Sequence, residues 1–322
     1  MRIRGLLLLF SLALPAASGA EDGLLAVRDQ NPLIRGVYLP LPVGDAAPGA
    51  FAFTAGIEWA NTVNIESTPR ESLLVDEESI ELDLSLAHAE GPWRFRATLP
   101  VINRGPGILD SAIADWHRFF GLPQGDRPSR PRNAYAIEYA TAAGVAIDVP
   151  RGTALGDLAL EGGRVLFEDG DRHVTLWAGL EAPTGDRARN TGNGSLDAAL
   201  WLEAGSPLGT RFALDGRAGV SRPGNDAHLP LAHGVAFGTL ALTWHALSSL
   251  DAIVQFDAHG SAVRDSTLEF LGRAVAMTVG ARYRLASGST LEAGVVEDIE
   301  VDHSPDVTFH VGWHWPIGAT AR

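Results

Sequence analysis

The 322-residue chain contains no cysteine and no lysine; all 25 of its cations are arginine. Without thiols there is no disulfide framework, no thiolate nucleophile or metal site, and no lipid-modified cysteine at a mature N-terminus. Without lysine there is no Schiff-base chemistry and no phosphate-binding P-loop lysine; codon bias explains that absence as readily as function does. Long apolar runs are also missing. Beyond residue 20 no stretch supplies the roughly 20 apolar residues of a spanning helix. Positive charge is scarce, and the formal net charge is −14. That balance disfavours nucleic acid, whose phosphates are neutralised by cationic side chains.

What is present begins with an export signal. Arg2 and Arg4 form a basic start, residues 5–14 an apolar stretch too short to span, and Ser18-Gly19-Ala20 a small-residue cleavage site. Removal of residues 1–20 leaves 23 arginines against 39 carboxylates, a mature charge of −16. No linker, low-complexity tract or tandem repeat divides the rest, which reads as one domain.

Residues 51–315 alternate apolar and polar side chains in about a dozen segments. Ile80, Leu82, Leu84 and Leu86 alternate with Glu81, Asp83 and Ser85. Beyond Glu90-Gly91-Pro92, Trp93, Phe95, Ala97 and Leu99 alternate with Arg94, Arg96 and Thr98. Period two sends each set to its own face of a strand. The same pattern sets Phe212 and Leu214 against Arg211, Asp215 and Arg217. It also sets Val279, Ala281 and Tyr283 against Arg282 and Arg284, and Phe309, Val311, Trp313 and Trp315 against His310 and His314. Tight connections at 90–92, 168–171, 206–209, 248–249 and 287–289 take turns with longer ones. Short periplasmic turns, longer outer loops and an even strand count mark an outer-membrane barrel. The expected fold is therefore all-β: a transmembrane, antiparallel, up-and-down barrel of about 12 strands, monomeric, with both termini periplasmic. Residues 21–50 are expected as a periplasmic segment and 316–322 as a tail. A bulge is expected at Gly162-Gly163, where phase looks lost. Trp59, Trp93, Trp244, Tyr283, Trp313 and Trp315 are the candidate interfacial girdles.

Residues 103–153 are too many for a simple loop. Leu109, Ile113, Trp116 and Phe120 recur at helical spacing, Asp110 stands where an N-terminal cap belongs, and Gly121 and Pro123 end the pattern. One short amphipathic helix over 109–120 follows, carrying Asp110, Ile113, Trp116, His117 and Phe120 as a lumen plug, a lid over the mouth, or a contact at the lipid interface. A small hairpin over 135–149 raises the strand count to fourteen if it joins the wall.

The run ILDSAIADWHRFFGLPQG over 108–125 resembles the central signature of an uncharacterised bacterial family, domain of unknown function 3187. Asn31-Pro32, Leu155-Gly156-Asp157, Pro183-Thr184-Gly185-Asp186, Gly194-Ser195-Leu196-Asp197, Glu297-Asp298 and Ser304-Pro305-Asp306-Val307 match it as well. The resemblance spans about residues 31–315. It implies an exported, barrel-like membrane protein and supplies neither a reaction nor a ligand.

The strongest chemical feature is the inward charge: Glu81, Asp83, Arg94, Arg96, Arg211, Asp215, Arg217, Arg282 and Arg284. Such ladders filter or bind a polar solute, or they neutralise one another across the tube, Glu81 and Asp83 against Arg94 and Arg96. Weaker candidates are His259 with Ser261, or His303 with Ser304, for a lipid hydrolase lacking a Gly-x-Ser-x-Gly elbow. Asp76, Glu77 and Glu78 read as a solvated acidic loop able to attract calcium or magnesium. His310 and His314 lie too far apart along a strand to chelate one ion, and Gly192-Asn193-Gly194 reads as a flexible loop. The expectation is a barrel that passes or binds a small solute in its lumen, with no cofactor. Its partners would be outer-membrane lipid and, during biogenesis, the barrel-assembly machinery. A non-conducting structural or lipid-associated barrel is the alternative, and an outer-membrane lipid hydrolase the third. The location expected is the outer membrane of a Gram-negative envelope, reached by export to the periplasm.

Overall fold

A computed structural model of the chain describes residues 23–121, 124–226, 229–299 and 303–318. Its strands are β1 (Phe51–Ser67), β2 (Glu71–Glu90), β3 (Trp93–Gly105), β4 (Ala136–Thr141), β5 (Ala146–Asp148), β6 (Gly152–Leu155), β7 (Leu158–Asp169), β8 (Arg172–Ala182), β9 (Asp197–Leu208), β10 (Phe212–Arg222), β11 (Val235–Leu247), β12 (Leu250–His259), β13 (Ala274–Arg284), β14 (Thr290–Asp298) and β15 (Val307–Ile317), with one helix, α1 (Asp110–Phe120). β1 pairs with β2 on one side and with β15 on the other, from Phe51↔Ile317 to Asn61↔Val307, which closes the sheet on itself. Twelve strands make the wall: β1–β3 and β7–β15. β4 adds to β2 over Glu71–Asp76, beyond the end of β3, and β5 adds to β4; β6 takes up the outer part of β3 where β7 has not yet begun. The excursion hairpin thus extends the outer rim without enlarging the wall.

The alternation read in the sequence sets the two faces. Leu160, Leu200, Leu240, Val279 and Val311 project outward and are exposed, whereas Glu58, Glu81, Asp83, Gln255, Thr278 and His310 point inward and are buried. A soluble protein distributes these residues the other way round, and a lipid-facing barrel accounts for the inversion. Phe51, Trp93, Phe95, Phe212, Trp244, Tyr283, Trp313 and Trp315 are exposed around the short-turn end and form a girdle there. Trp59 does not join it; higher up, its indole N–H donates to Glu78 at 2.7 Å. Among the described residues no helix is long and apolar enough to cross a membrane, which says nothing of strands.

Three local expectations change. The Gly91-Pro92 turn is as read, with Gly91 at φ 54°. The β1–β2 connection, however, is only residues 68–70, because the two strands run to 17 and 20 residues, so Asp76, Glu77 and Glu78 are buried in β2 rather than solvated in a loop. Phase is kept through Gly162-Gly163; the register shifts at Val165/Phe167 instead. Gly163 faces inward, and a Cβ there would sit 2.6 Å from the Trp177 ring.

The largest correction concerns residues 23–50, expected as a periplasmic segment, which enter the lumen. Gly23, Leu24 and Leu25 begin low, against Asp215, Arg282 and Gln255; Asn31 to Leu33 reach the outer rim at Phe270 and Asn190; and Asp45 returns to Arg94 and Arg96 near the short turns. The segment is a finger whose two legs share the short-turn end. Leu33, Ile34 and Val37 at its tip pack with Val75, Ile137, Tyr139, Leu229, Leu231, Val263, Phe270 and Leu271, an apolar cover built from the outer loops. The reason for entry is chemical. Leu24, Leu25, Val27, Leu33 and Ile34 gain burial, and Arg28 and Arg35 meet carboxylates that the wall leaves uncompensated.

Candidate lumen site

The finger and the inward face of the wall form one polar site. On the β1–β2 side Glu81, with no exposed surface, accepts from both Arg28 and Arg35. Arg28 Nε lies 3.1 Å from Glu81 Oε1, and its Nη2 3.3 Å from Asp83 Oδ1. The Arg28 backbone N–H donates to Glu58 Oε1 at 3.3 Å, and the Gln30 amide donates to the second Glu58 oxygen. Arg35 also donates to Ser79 Oγ at 3.0 Å and to the Gln30 carbonyl at 3.2 Å. On the returning leg Asp45 takes Arg96 at 2.9 Å and Arg94 at 3.7 Å, while Arg96 reaches Glu203 at 3.3 Å. The Arg96 guanidinium stands over Trp177, its Cζ 3.9 Å from the ring centre, and Trp177 stacks on Trp201 at 5.9 Å. These two lumen indoles were not singled out in the sequence; their even register with Arg96 and Glu203 was the available signal.

The predicted residues are therefore gathered, with different partners. Glu81 and Asp83 do not face Arg94 and Arg96. In the β2–β3 hairpin Glu81 stands opposite Ile102 and Asp83 opposite Pro100, while Arg94 and Arg96 oppose Ala89 and Ala87. Asp215 holds Gly23, Arg217 donates to Thr239 at 3.1 Å, and Arg282 pairs with Glu292 at 3.0 Å and with the Leu24 carbonyl at 2.6 Å. Arg284 pairs with Asp251. Arg211 is exposed in the turn before β10 and does not line the lumen. An open pocket of about 640 Å³ lies near the short-turn end, lined by Leu202, Leu214 and Leu240 as well as His173, Asp215 and Arg217.

The helix is neither plug nor lid. It lies against the outer flank of the wall, where Asn61, Val63, Asp76, Glu78 and Val307 point away from the lumen yet are buried. Glu78 of β2 accepts the Ile108 and Leu109 N–H groups at 2.8 and 2.7 Å and so does the capping expected of Asp110. Asp110 instead takes Asn61, Arg127 and the Asn133 N–H. Gly121 closes the helix at φ 70°, as read. Ile113 and His117 form its buried face, whereas Trp116 is exposed along with Ile108 and Phe119. Pro123 and the Phe120 side chain lie outside the described residues.

The hydrolase pairs do not assemble. His259 places Nε2 2.8 Å from Asp29 Oδ2 and Nδ1 2.8 Å from the Gly260 carbonyl, while Ser261 is exposed. His303 is held by the Arg273 carbonyl, and the Ser304 N–H donates to Asp298. His310 meets Glu292 at 3.0 Å and His314 meets Thr54 at 2.9 Å.

The remaining motifs converge at the outer rim. Thr184 Oγ1 donates to the Gly156 carbonyl at 3.1 Å and accepts the Leu158 N–H at 2.9 Å. The Gly185 N–H donates to Asp157 at 2.6 Å. Asp197 accepts the Asn193 amide, the Gly224 N–H and the Tyr38 N–H at 2.8, 2.7 and 3.1 Å. The Asn190 amide holds the Pro32 carbonyl at 2.7 Å. Burial lifts the Asp157 carboxyl above its ordinary range and the Asp197 charge adds to this, with the Gly185 N–H pulling the other way. These loops are a knot that fastens the fingertip.

The same fold occurs in a crystal structure of the COG4313 outer membrane channel from Pseudomonas putida F1: TM-score 0.56, 12% identity, 88% of this chain and 98% of that one covered. The transport unit of the Escherichia coli autotransporter AIDA-I (TM-score 0.47, 9% identity, 88% and 96% covered) and the NanC porin (0.46, 8%, 83% and 99%) are more distantly similar. No curated protein matches the chain. The family model described as "Protein of unknown function (DUF3187)" matches residues 3–317, and the chain belongs to that family.

Proposed function

We propose that this protein is an outer-membrane channel for a small polar solute, shut in the state described by its own residues 23–50. The observation that carries this reading is the attachment of the finger. Residues 23–46 take no place in the strand ladder, and an isolated bridge, Pro48↔Ala89, ties the base of the returning leg to β2. Withdrawal toward the short-turn end therefore costs side-chain contacts but no wall pairing. The lumen left behind is lined by charge, as a solute path requires. The similar fold of the Pseudomonas putida outer membrane channel supports the same class for this chain.

Cysteine chemistry tests it cleanly, because the chain has no cysteine of its own. A Cβ built on Gly36 meets the Asn193 backbone N at 2.9 Å and Asn193 Cβ at 3.2 Å, so the two segments must part by a few tenths of an ångström, which also brings the pair to the ~3.5–4.5 Å span of a disulfide. Oxidised Gly36→Cys/Asn193→Cys protein should be silent in planar bilayers, and reductant should restore the channel events of wild type. Equal conductance in both redox states would sink the gating, and silence in every form would favour a non-conducting structural barrel.

A further inference from the structure

The finger's own arginines identify what the wall is built to hold. Glu58, Glu81 and Asp83 are buried and bring carboxylate oxygens within 4.8 Å of one another. An acidic cluster alone says little, but two further observations bear on this one. The groups seated in it are two guanidinium ions, delivered from different parts of the finger to one carboxylate, Glu81. Beyond them on the same inward face of β2 stands Glu77, 2% exposed, with neither carboxylate oxygen hydrogen-bonded. Glu77 lies within electrostatic reach of Arg35 and Arg104. The wall side of the site thus carries four carboxylates: Glu58, Glu81 and Asp83 meet cations of the finger, and Glu77 has Arg104 of β3 near it as well as Arg35.

We propose that Glu58, Glu81 and Asp83 form a binding site for a small organic cation with a guanidinium or amidinium head, for which Arg28 and Arg35 are tethered stand-ins. The planar fork of a guanidinium matches paired carboxylate oxygens, whereas a compact inorganic cation does not use that geometry. Glu77 supplies a second anionic contact for a ligand carrying another cationic group. For access of the ligand the inference rests on the channel reading, since the finger must withdraw. A free cation and the finger compete for the same carboxylates, so the ligand that passes also favours the open state.

Agmatine, a guanidinium with an ammonium at its far end, is a suitable probe. Calorimetry on the detergent-folded full chain should show Arg28→Ser/Arg35→Ser binding agmatine at least about tenfold more tightly than wild type, because removal of an occluded state restores the competent fraction. Glu81→Gln/Asp83→Asn in that background should abolish the gain, and neither potassium nor calcium should displace agmatine. Equal affinity in wild type and the arginine variant, or retained binding after carboxylate neutralisation, or displacement by calcium, overturns the proposal. Heat-modifiable migration on gels reports folding of each variant. If the arginine variant does not fold, hydrogen exchange of wild type decides: agmatine should accelerate exchange over residues 24–38, and an unchanged pattern overturns the site. Agmatine binding with silent bilayers would sink the channel and leave the site standing; conduction without agmatine binding would do the reverse.

Discussion

The hydrogen on Gly163 Cα is what lets the lumen hold two stacked indoles. A methyl there would stand 2.6–2.8 Å from three atoms of Trp177, and Trp177 is pinned from its other neighbours by Arg96 and Trp201. Gly163→Ala should therefore lower stability by about 1–3 kcal/mol, the usual range for an overpacked interior, read as a fall in the urea midpoint in detergent; an unchanged midpoint would mean the ring moves freely. The sequence showed the alternation that turns Glu81 and Arg96 inward but not who meets whom. Glu81 stands ten residues from the center of the Gly91-Pro92 turn and Arg94 only two or three, so hairpin geometry alone forbids their pairing. The finger's arginines could not be assigned, because residues 23–50 carry no strand period. Asp157 makes a pH prediction at the same scale. Its carboxyl is raised in the folded state, so folding favours its protonated form. Its contribution grows as pH falls through the folded value and is complete below the unfolded one, about 3.9. On going from neutral to mildly acid pH the urea midpoint in detergent should gain more in wild type than in Asp157→Asn, and equal changes would refute the contribution.

At the scale of elements, the excursion acts as a bolt across the barrel seam. Buried Arg127 reaches Asn61 of β1 at 2.5 Å, Asp110 of α1 at 3.2 Å and Asp306, which leads into β15, at 2.6 Å. Asp306 in turn accepts the Val63 N–H of β1 at 3.1 Å. First and last strand are thus held together by a side chain from outside the wall. Arg127→Ala takes the cation from two half-buried carboxylates, Asp110 and Asp306, a loss of about 1.5–3 kcal/mol by the usual worth of a hydrogen bond to a charged group. The folded band on unheated gels should disappear at a distinctly lower temperature than in wild type, and a shift no larger than that of exposed Arg118→Ala would refute the bolt. The helix itself was legible in sequence, from Asp110 to the Gly121 stop. Its place was not. Position depends on outward polar residues at the tips of β1 and β2, Asn61, Asp76 and Glu78, which need partners away from lipid and find them in Asp110, Arg127 and Arg130. Nothing in the helix period carries that information, and the aromatic residues that look like its core, Trp116 among them, are left facing outward.

For the whole molecule the decisive property is the inversion of polarity: apolar side chains cover the outside, while charged side chains are buried within. Six of the eight tryptophans divide along that line. Trp93, Trp244, Trp313 and Trp315 are exposed at the short-turn girdle, whereas Trp177 and Trp201 are buried in the lumen. Girdle indoles sit at the level of the lipid head groups and upper acyl chains, so quenchers carried on acyl chains reach one set and not the other. In vesicles of brominated lipid, a variant retaining only the four girdle tryptophans should lose most of its fluorescence, and one retaining only Trp177 and Trp201 should keep most of it. Equal quenching of the two would mean that the outward face does not meet lipid, and the membrane-spanning barrel would have to be abandoned. The lumen pair carries a second message. Trp177 lies beneath Arg96, whose ion pair with Asp45 belongs to the finger, so emission from the pair should shift when reductant frees the Gly36→Cys/Asn193→Cys lock and stay fixed while the lock is closed. That links the optical signal directly to the movement on which conduction depends.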